Sequence, residues 1–261
     1  TRLLDRDGEW LPQTTTKNCS SDISPTAGQM VRGLGLAFAS KLYRSQEVLH
    51  TETNFSNKGN EVCFTTIGDA STSEGLFWET INAAGVMQVP LAIFIWDDGY
   101  GISVPRKFQT TKNSISTILE GFQYEEGKGG VEIYKVKGWD YAALCDTFKK
   151  GIQKIRDTHT PAVFHVQEIT QPQGHSTSGS HERYKSKERL EWEKEMDCIK
   201  KMKEFILENA ISNEEELAQI EENAKQMGEQ TIECYEKLDI AINDTSVIGN
   251  PVPVHELTKE E

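Results

Sequence analysis

Residues 62–101 read VCFTTIGDASTSEGLFWETINAAGVMQVPLAIFIWDDGYG and contain two apolar runs separated by a helical pattern. Residues 62–67 and 91–96 are rich in β-branched and aromatic side chains, so each run predicts a strand. Between them, residues 74–87 carry apolar side chains at the three- and four-residue spacing of a helix. Both strands are almost continuously apolar, which is typical of parallel strands covered on both faces. The segment therefore predicts a strand–helix–strand unit.

The same alternation continues on either side of this unit. Residues 27–43 have helical spacing and predict a preceding helix. Downstream, residues 132–136 predict a strand, Asp140 predicts the N-cap of a helix, and residues 162–166 predict another strand. This repetition predicts an α/β fold with a doubly wound, mainly parallel sheet.

The composition changes along the chain and predicts four regions. The start is polar and rich in Thr and Ser, whereas the charged sequence after residue 184 carries apolar residues at helical spacing. Within it, Ser212 and Glu215 have the spacing of a capping box. We expect these C-terminal helices to cover the sheet or a partner subunit. The predicted regions are an N-terminal arm (1–23), an α/β domain (24–184), C-terminal amphipathic helices (185–249) and a tail or linker (250–261).

Composition excludes several classes of function. The chain has 261 residues, and its formal charge is 28 − 41 = −13, which argues against sequence-independent nucleic-acid binding. No apolar run approaches the ~20 residues of a membrane-spanning helix. The five cysteines include no CxxC pair, so they indicate reduced thiols and a cytoplasmic location. The sequence therefore predicts neither nucleic-acid nor membrane binding.

Acidic residues follow both strands of the central unit. Gly68 and Asp69 follow the first strand, and Asp97 and Asp98 follow the second. In open α/β sheets, ligands bind at the carboxyl ends of the strands. The N–H groups at the start of the 74–87 helix favour a phosphate, and Asp69 and Asp98 supply the oxygen ligands that Mg²⁺ prefers. Either half alone is an ordinary turn, but the two halves together favour a magnesium–diphosphate site.

Four segments carry a family resemblance. GDASTSEG (68–75) and WDDGYGIS (96–103) resemble the two halves of the thiamine-diphosphate motif, Gly-Asp-Gly and Asn-Asn. Their Ser-Glu-Gly and Tyr-x-Ile-Ser endings resemble the alpha subunits of 2-oxoacid dehydrogenases. QGHSTS (173–178) resembles the His-Ser loop of pyruvate and branched-chain 2-oxoacid dehydrogenases. SPTAGQ (24–29) resembles the helix start that meets the aminopyrimidine ring in the branched-chain enzymes.

The resemblance implies a cofactor, a metal and a set of site residues. The cofactor is thiamine diphosphate with Mg²⁺, and the implied metal ligands are the side chains of Asp69 and Asp98 and the carbonyl of Tyr100. The implied diphosphate-lining residues, which precede or follow Asp69 directly, are Gly68, Ala70 and Ser71.

Two further positions take roles from the resemblance. Ser24 and Thr26 would offer backbone groups to the aminopyrimidine, and His175 is the implied catalytic residue facing the thiazolium and the substrate. The alternative for His175 is a solvated loop histidine. A Gly-, Ser- and Thr-rich loop after a strand is a poor place for structural packing, so the catalytic interpretation is favoured.

The chain departs from the family pattern at several points. Ala70 replaces the third glycine of the motif, which is mild if its φ is negative, and Asp97-Asp98 replaces Asn-Asn and adds negative charge beside the diphosphate. Gln173 stands where pyruvate dehydrogenases carry a histidine. The family's upstream Tyr-Arg pair has no counterpart in residues 1–20.

The resemblance also implies an activity and partners. It implies oxidative decarboxylation of a 2-oxoacid, with acyl transfer to the lipoyl group of an acyltransferase in a multienzyme complex. The activating glutamate would come from a beta subunit or a fused pyrimidine-binding domain, so we expect an oligomer with the site at an interface. A transketolase-type half and an inactive cofactor-binding or assembly module are the alternatives. The 173–178 loop argues against the transketolase.

Overall fold

The computed structural model describes residues 23–50, 56–175 and 181–243, and the side chains of 231–243 are not described. The predicted arm up to residue 22, the end of the 173–178 loop and the predicted tail lie outside these residues. The predicted domain boundaries stay a prediction.

Helices and strands alternate in the predicted order. The helices are α1 (Gly28–Ser45), α2 (Gly75–Met87), α3 (Ile115–Ile118), α4 (Tyr141–Thr158), α5 (His181–Tyr184), α6 (Lys187–Glu195), α7 (Cys198–Glu208) and α8 (Glu214–Asn243). The strands are β1 (Cys63–Gly68), β2 (Leu91–Trp96), β3 (Tyr100–Gly101), β4 (Val104–Pro105), β5 (Glu132–Lys137) and β6 (Ala162–Gln167). The β3–β4 hairpin and α3 were not predicted.

The main sheet is parallel, with the strand order β1–β2–β6–β5. In the register of the sheet, Gly68 lies opposite Trp96, and Trp96 lies opposite Val166. The carboxyl ends of β1, β2 and β6 therefore meet at one edge. The predicted α/β fold with a parallel sheet is confirmed.

Helices cover both faces of this sheet. On one face, Ile93 and Ile95 of β2 pack in a buried cluster with residues of α1 and α2, such as Met30 and Phe77. On the other face, Phe94 packs in a second cluster with residues of α4. Successive side chains of a strand point to opposite faces, so a continuously apolar strand supplies both clusters.

The cap of α8 differs from the prediction, and the charged region before α8 forms two separate helices. The capping box is wrong, because the side chain of Asn213, not Ser212, accepts the Glu216 N–H at 2.9 Å and caps α8. The Ser212 hydroxyl instead donates to the Glu216 carboxylate at 2.6 Å. The charged sequence after residue 184 forms α6 and α7, and Asp197 begins the second helix by accepting the N–H groups of the residues after it.

The chain divides into two compact units, of which the first ends at Met202 and the second begins at Lys203. The first holds the sheet. The second contains α8, and Lys203 pairs with Glu221 across 2.9 Å within it. No helix in the described part of the chain combines the length and the apolar character needed to cross a membrane.

Aromatic rings stack across the strands on the α4 face. Phe94 lies 4.8 Å from Phe164 between ring centroids, and Phe164 lies 5.0 Å from Tyr134. Phe148 of α4 packs edge-on against Phe94 at 5.0 Å. Gly151 sits on α4 above this stack, and a Cβ added there would lie 2.6 Å from two ring atoms of Phe164. The close approach of α4 to the sheet therefore requires glycine at this position.

We expect Gly151→Ala to lower the free energy of unfolding by about 1–2 kcal/mol, because overpacking the ring stack costs more than the gain in helix propensity. Gly35→Ala in α1 is the matched control, since a Cβ there has no described heavy atom within 4 Å. It should leave stability unchanged or raise it by up to about 1 kcal/mol. Chemical denaturation measures both variants, and equal effects would contradict the close packing of α4.

Candidate functional site

Three aspartates meet at the carboxyl edge of the sheet. Asp69 follows β1, and its N–H donates to the carbonyl of Trp96 at 3.1 Å. Asp97 and Asp98 follow β2 directly. The three residues are buried, with exposed fractions of 4%, 1% and 8%. The parallel register therefore places Asp69, Asp97 and Asp98 at one edge of the sheet.

A 3-10 turn, Ala70–Ser73, separates Asp69 from α2. The Thr72 N–H donates to the Asp69 carbonyl at 3.2 Å and closes this turn. Because Glu74 is extended and α2 begins only at Gly75, the helix does not open directly after Gly68-Asp69. The backbone N–H groups nearest Asp69 in the chain belong to this turn, and those at the start of α2 follow it, close to the predicted start of the helix at residue 74. Ala70 does not have a positive φ, so it replaces glycine without strain.

Asp98 has one carboxylate oxygen satisfied and one without a partner. Its Oδ1 accepts the Tyr100 N–H at 3.1 Å. Its Oδ2 is buried and has no hydrogen-bond partner among the described residues. The imidazole of His175 lies nearby, with its Nδ1 4.0 Å from Oδ2. A buried oxygen of this kind is costly unless a donor or a cation satisfies it.

Asp97 is fully satisfied. Its Oδ1 accepts the Gly99 N–H at 2.9 Å. Its Oδ2 accepts from Nε2 of His165 at 2.8 Å and forms an ion pair with Arg106. His165 is fully buried, and its Nδ1 lies 2.9 Å from the Ser116 hydroxyl. The two neighbouring aspartates of the motif therefore have different environments.

The pKa values follow these environments. Burial, followed by the charges of Asp97 and Asp98, raises the pKa of Asp69 to about 8. Burial also raises the pKa of Asp98, although the Tyr100 N–H and the charge of His175 oppose the shift. Burial acts in the same direction on Asp97, but the His165 hydrogen bond and the Arg106 charge outweigh it, so the pKa of Asp97 is lowered. The described cations therefore do not offset the cost of ionising Asp69 and Asp98 at this buried edge.

A cluster of buried ion pairs contacts the segment that follows β2. Lys185 Nζ lies 2.8 Å from both carboxylate oxygens of Glu193, and both side chains are 1% exposed. Arg189 pairs with Glu193 at 2.8 Å and also donates to the Asp98 carbonyl at 2.7 Å. The Tyr100 ring lies below both cations, with Lys185 Nζ 5.4 Å from its centroid. This cluster ties α6 to the segment that follows β2.

Sequence reasoning missed the basic residues of the site. His165 lies within an apolar strand, and Arg106 follows an unpredicted hairpin, so neither has a local signal. Arg189 and Glu193 have the i,i+4 spacing of a helical ion pair, which was detectable. In a strongly charged helix that spacing indicates a solvated face more often than a buried one.

The remaining predicted residues lie around this edge. Ser24 and Thr26 are exposed and lie in the turn before α1. Gln29 in the first turn of α1 donates to the carbonyl of Thr66 at 3.0 Å, which fixes that turn beside the carboxyl half of β1. His175 lies next to Asp98, as given above, with 39% of its side chain exposed.

Side chains alone do not form a metal site in the described part of the chain. Within the residues that the structure describes, no group of three or more His, Cys, Asp or Glu side chains has the arrangement of a metal site. Asp69 and Asp98 provide two carboxylates and one unpaired oxygen. A cation bound between them would take its other ligands from backbone and from a bound oxyanion, which is the usual coordination of Mg²⁺ with phosphate groups.

The comparisons with known proteins agree with this geometry. The family model "Dehydrogenase E1 component" matches residues 13–239. The pyruvate dehydrogenase E1 component subunit alpha of Rickettsia bellii is 29% identical over 80% of this chain and 57% of its own length. The same subunit of Rickettsia prowazekii is 27% identical over 83% and 59%.

A plant relative is more distant. The mitochondrial 2-oxoisovalerate dehydrogenase subunit alpha 1 of Arabidopsis thaliana is 24% identical over 82% of this chain and 41% of its own length. The chain thus spans between two fifths and three fifths of the length of these curated relatives. The family model covers most of the chain and confirms the resemblance of the motifs. The chain belongs to the dehydrogenase E1 component family.

Proposed function

We propose that this chain is the diphosphate-binding half of a thiamine-diphosphate-dependent 2-oxoacid dehydrogenase. The observation that carries the proposal is the pair Asp69 and Asp98 at the carboxyl edge of a parallel sheet, with a buried Asp98 oxygen that lacks a partner. The edge matches the usual ligand position of such sheets. Pyruvate and 2-oxoisovalerate dehydrogenase alpha subunits among the relatives agree with a 2-oxoacid as the substrate.

Mg²⁺ fits the donor set. Asp69 and Asp98 would hold it with their carboxylates and Tyr100 with its carbonyl, because hard oxygen ligands suit this ion. A bound cation would also favour the ionised form of the two aspartates, which burial disfavours. The diphosphate-lining residues in this proposal are Gly68, Ala70 and Ser71. When bound, thiamine diphosphate supplies the electron sink for decarboxylation.

Other residues orient the cofactor and move a proton. Ser24 and Thr26 would offer backbone groups to the aminopyrimidine from the turn before α1. His175 faces Asp98 with Nδ1, so we assign Nε2 as the atom that donates a proton on the substrate side. Imidazole suits this role because it exchanges a proton near neutral pH.

The site is completed by other chains or domains in this proposal. We expect a beta subunit or a fused pyrimidine-binding domain to supply the remaining wall and the activating glutamate. A lipoyl-bearing acyltransferase would accept the acyl group, and the enzyme would be an oligomer in the cytoplasm.

The metal assignment predicts the behaviour of Asp69→Ala. The variant should lose Mg²⁺-dependent binding of thiamine diphosphate, because one carboxylate ligand is missing and the diphosphate charge is poorly neutralised at a buried edge. Calorimetry on the complete enzyme measures the affinity. Asp146→Ala, which removes an exposed carboxylate on α4, is the matched control and should bind normally. Unchanged affinity in Asp69→Ala would contradict the assignment.

The proposed interface predicts the behaviour of the isolated chain. A verified monomer of these 261 residues should bind thiamine diphosphate weakly and show no decarboxylation, because the activating glutamate lies elsewhere. Adding the partner should restore turnover with a lipoyl acceptor. The measurement is release of CO₂ from a labelled 2-oxoacid. Robust turnover by the monomer would rule out the interfacial site.

The variant His175→Ala tests whether His175 is a catalytic residue or only a loop residue. In the complete enzyme, folding and cofactor binding should stay nearly intact, whereas lipoyl acylation should fall by ~10²–10⁴ if a positioned general acid is lost. Decarboxylation with an artificial electron acceptor should fall less, because that assay needs no protonation of a lipoyl sulfur. Both assays are run on one preparation. Acylation within a few-fold of the unsubstituted enzyme would leave His175 as a loop residue only.

A further inference from the structure

Asp97 is the buried aspartate whose charge is fully matched. Both of its oxygens are occupied, Oδ1 by the Gly99 N–H at 2.9 Å and Oδ2 by His165 at 2.8 Å and by Arg106. The side chains of Asp97 and His165 are 0% exposed, and that of Arg106 is 27% exposed. A buried carboxylate persists in its charged form only when it is paired and hydrogen-bonded in this way. Both oxygens of Asp97 therefore already have protein partners.

The contacts of Asp97 join separate parts of the backbone. Its N–H donates to the Val166 carbonyl at 2.9 Å, and its own carbonyl accepts the Ile169 N–H at 3.0 Å, so the ends of β2 and β6 are held together. Arg106 also contacts this segment through its backbone, because its N–H donates to the Gly99 carbonyl at 2.8 Å. This hydrogen bond joins the two ends of the β3–β4 hairpin.

His165 extends the network away from the site. Its Nδ1 contacts the Ser116 hydroxyl at 2.9 Å, and Ser116 lies 3.2 Å from the hydroxyl of Ser114, the N-cap residue of α3. The segment between Asp97 and Arg106 is thus anchored at both ends to rigid elements. That segment contains Asp98 and Tyr100.

The same segment contains two strained or unusual backbone positions. Gly99 has φ +83° and Ile102 has φ +58°, a region that a β-branched residue rarely adopts. Such a conformation persists only when surrounding contacts impose it. The Asp97–Gly99 and Arg106–Gly99 hydrogen bonds and the Asp97–Arg106 ion pair are contacts of this kind.

We propose that Asp97, His165 and Arg106 form a positioning unit that holds Asp98 and the Tyr100 carbonyl in the arrangement required for the cation. The three residues do not touch the cation or the substrate. They fix the backbone on which two of its ligands lie. This inference rests on the proposed function, because it takes Asp98 and Tyr100 as ligands. It also accounts for an aspartate at the first Asn position of the motif, since Arg106 forms an ion pair with it and His165 hydrogen-bonds to it.

The test uses the complete enzyme with Mn²⁺ in place of Mg²⁺. Electron paramagnetic resonance measures free Mn²⁺ during titration at saturating thiamine diphosphate. Arg106→Gln should weaken Mn²⁺ binding by about 10- to 100-fold, the range typical when a residue that orients a metal ligand is removed. Arg106→Lys should recover part of the affinity, because an ammonium group still pairs with Asp97 but lacks the planar fork of arginine.

Lys107→Gln is the matched control. Lys107 is the next residue, is exposed and contacts the ring of Phe108, 4.9 Å from its centroid. Its removal changes the net charge equally but should alter Mn²⁺ affinity by no more than about twofold, because exposed charges are screened. Thermal unfolding establishes that each variant is folded at the temperature of the titration.

A double-mutant cycle adds a second test that does not depend on one variant. Asp97→Asn keeps the size of the side chain and removes its charge. If the residues act as a unit, Asp97→Asn combined with Arg106→Gln should weaken Mn²⁺ binding no more than the stronger single variant does. Additive losses, or a folded Arg106→Gln variant that binds Mn²⁺ normally, would overturn the positioning unit. Absence of diphosphate-dependent Mn²⁺ binding in the unsubstituted enzyme would instead overturn the proposed metal site and, with it, this inference.

Discussion

The parallel pairing of β1 with β2 is the constraint on which the site depends. It places Gly68 opposite Trp96, so the residues that follow these positions are forced to the same edge. Three of those residues are aspartates, and all three are buried. Burial makes each negative charge costly, so each carboxylate must find a partner. The different ways in which Asp97, Asp98 and Asp69 meet this requirement divide the edge into a structural part and a binding part.

In the structural part, both carboxylate oxygens of Asp97 have protein partners. Arg106 forms an ion pair with Asp97 Oδ2, His165 hydrogen-bonds to the same oxygen, and the Gly99 N–H donates to Oδ1. The binding part is open, because Asp98 Oδ2 has no partner in the described residues and burial raises the pKa of Asp69. In the proposed function, a divalent cation would supply the positive charge that this half lacks. The two neighbouring aspartates of one motif thus have different partners, which a simple exchange of Asn-Asn for Asp-Asp does not suggest.

Packing and ion pairs in the rest of the first unit hold this edge in place. Helices cover both faces of the sheet, so the carboxyl edge is the side from which a ligand can approach. α4 approaches the aromatic stack closely through Gly151. Next to the site, Lys185 and Glu193 form a buried ion pair, and Arg189 donates a hydrogen bond to the Asp98 carbonyl. Removing one partner of such a pair leaves an uncompensated buried charge, so the cluster also fixes α6 against the site.

The sequence by itself determined the order of the main strands and of the helices between them, the parallel character of the sheet and the position of Asp69 and Asp98 at one edge. These features depend on local periodicity and on the rule that parallel strands end at one edge. Only the tertiary structure decided which groups pair with Asp97, because His165 is 68 residues away along the chain and carries no local signal. It also decided that a 3-10 turn lies between Asp69 and α2 and that Asn213 caps α8. Boundaries and partners of this kind depend on competing hydrogen bonds between distant or neighbouring groups, which residue spacing does not resolve.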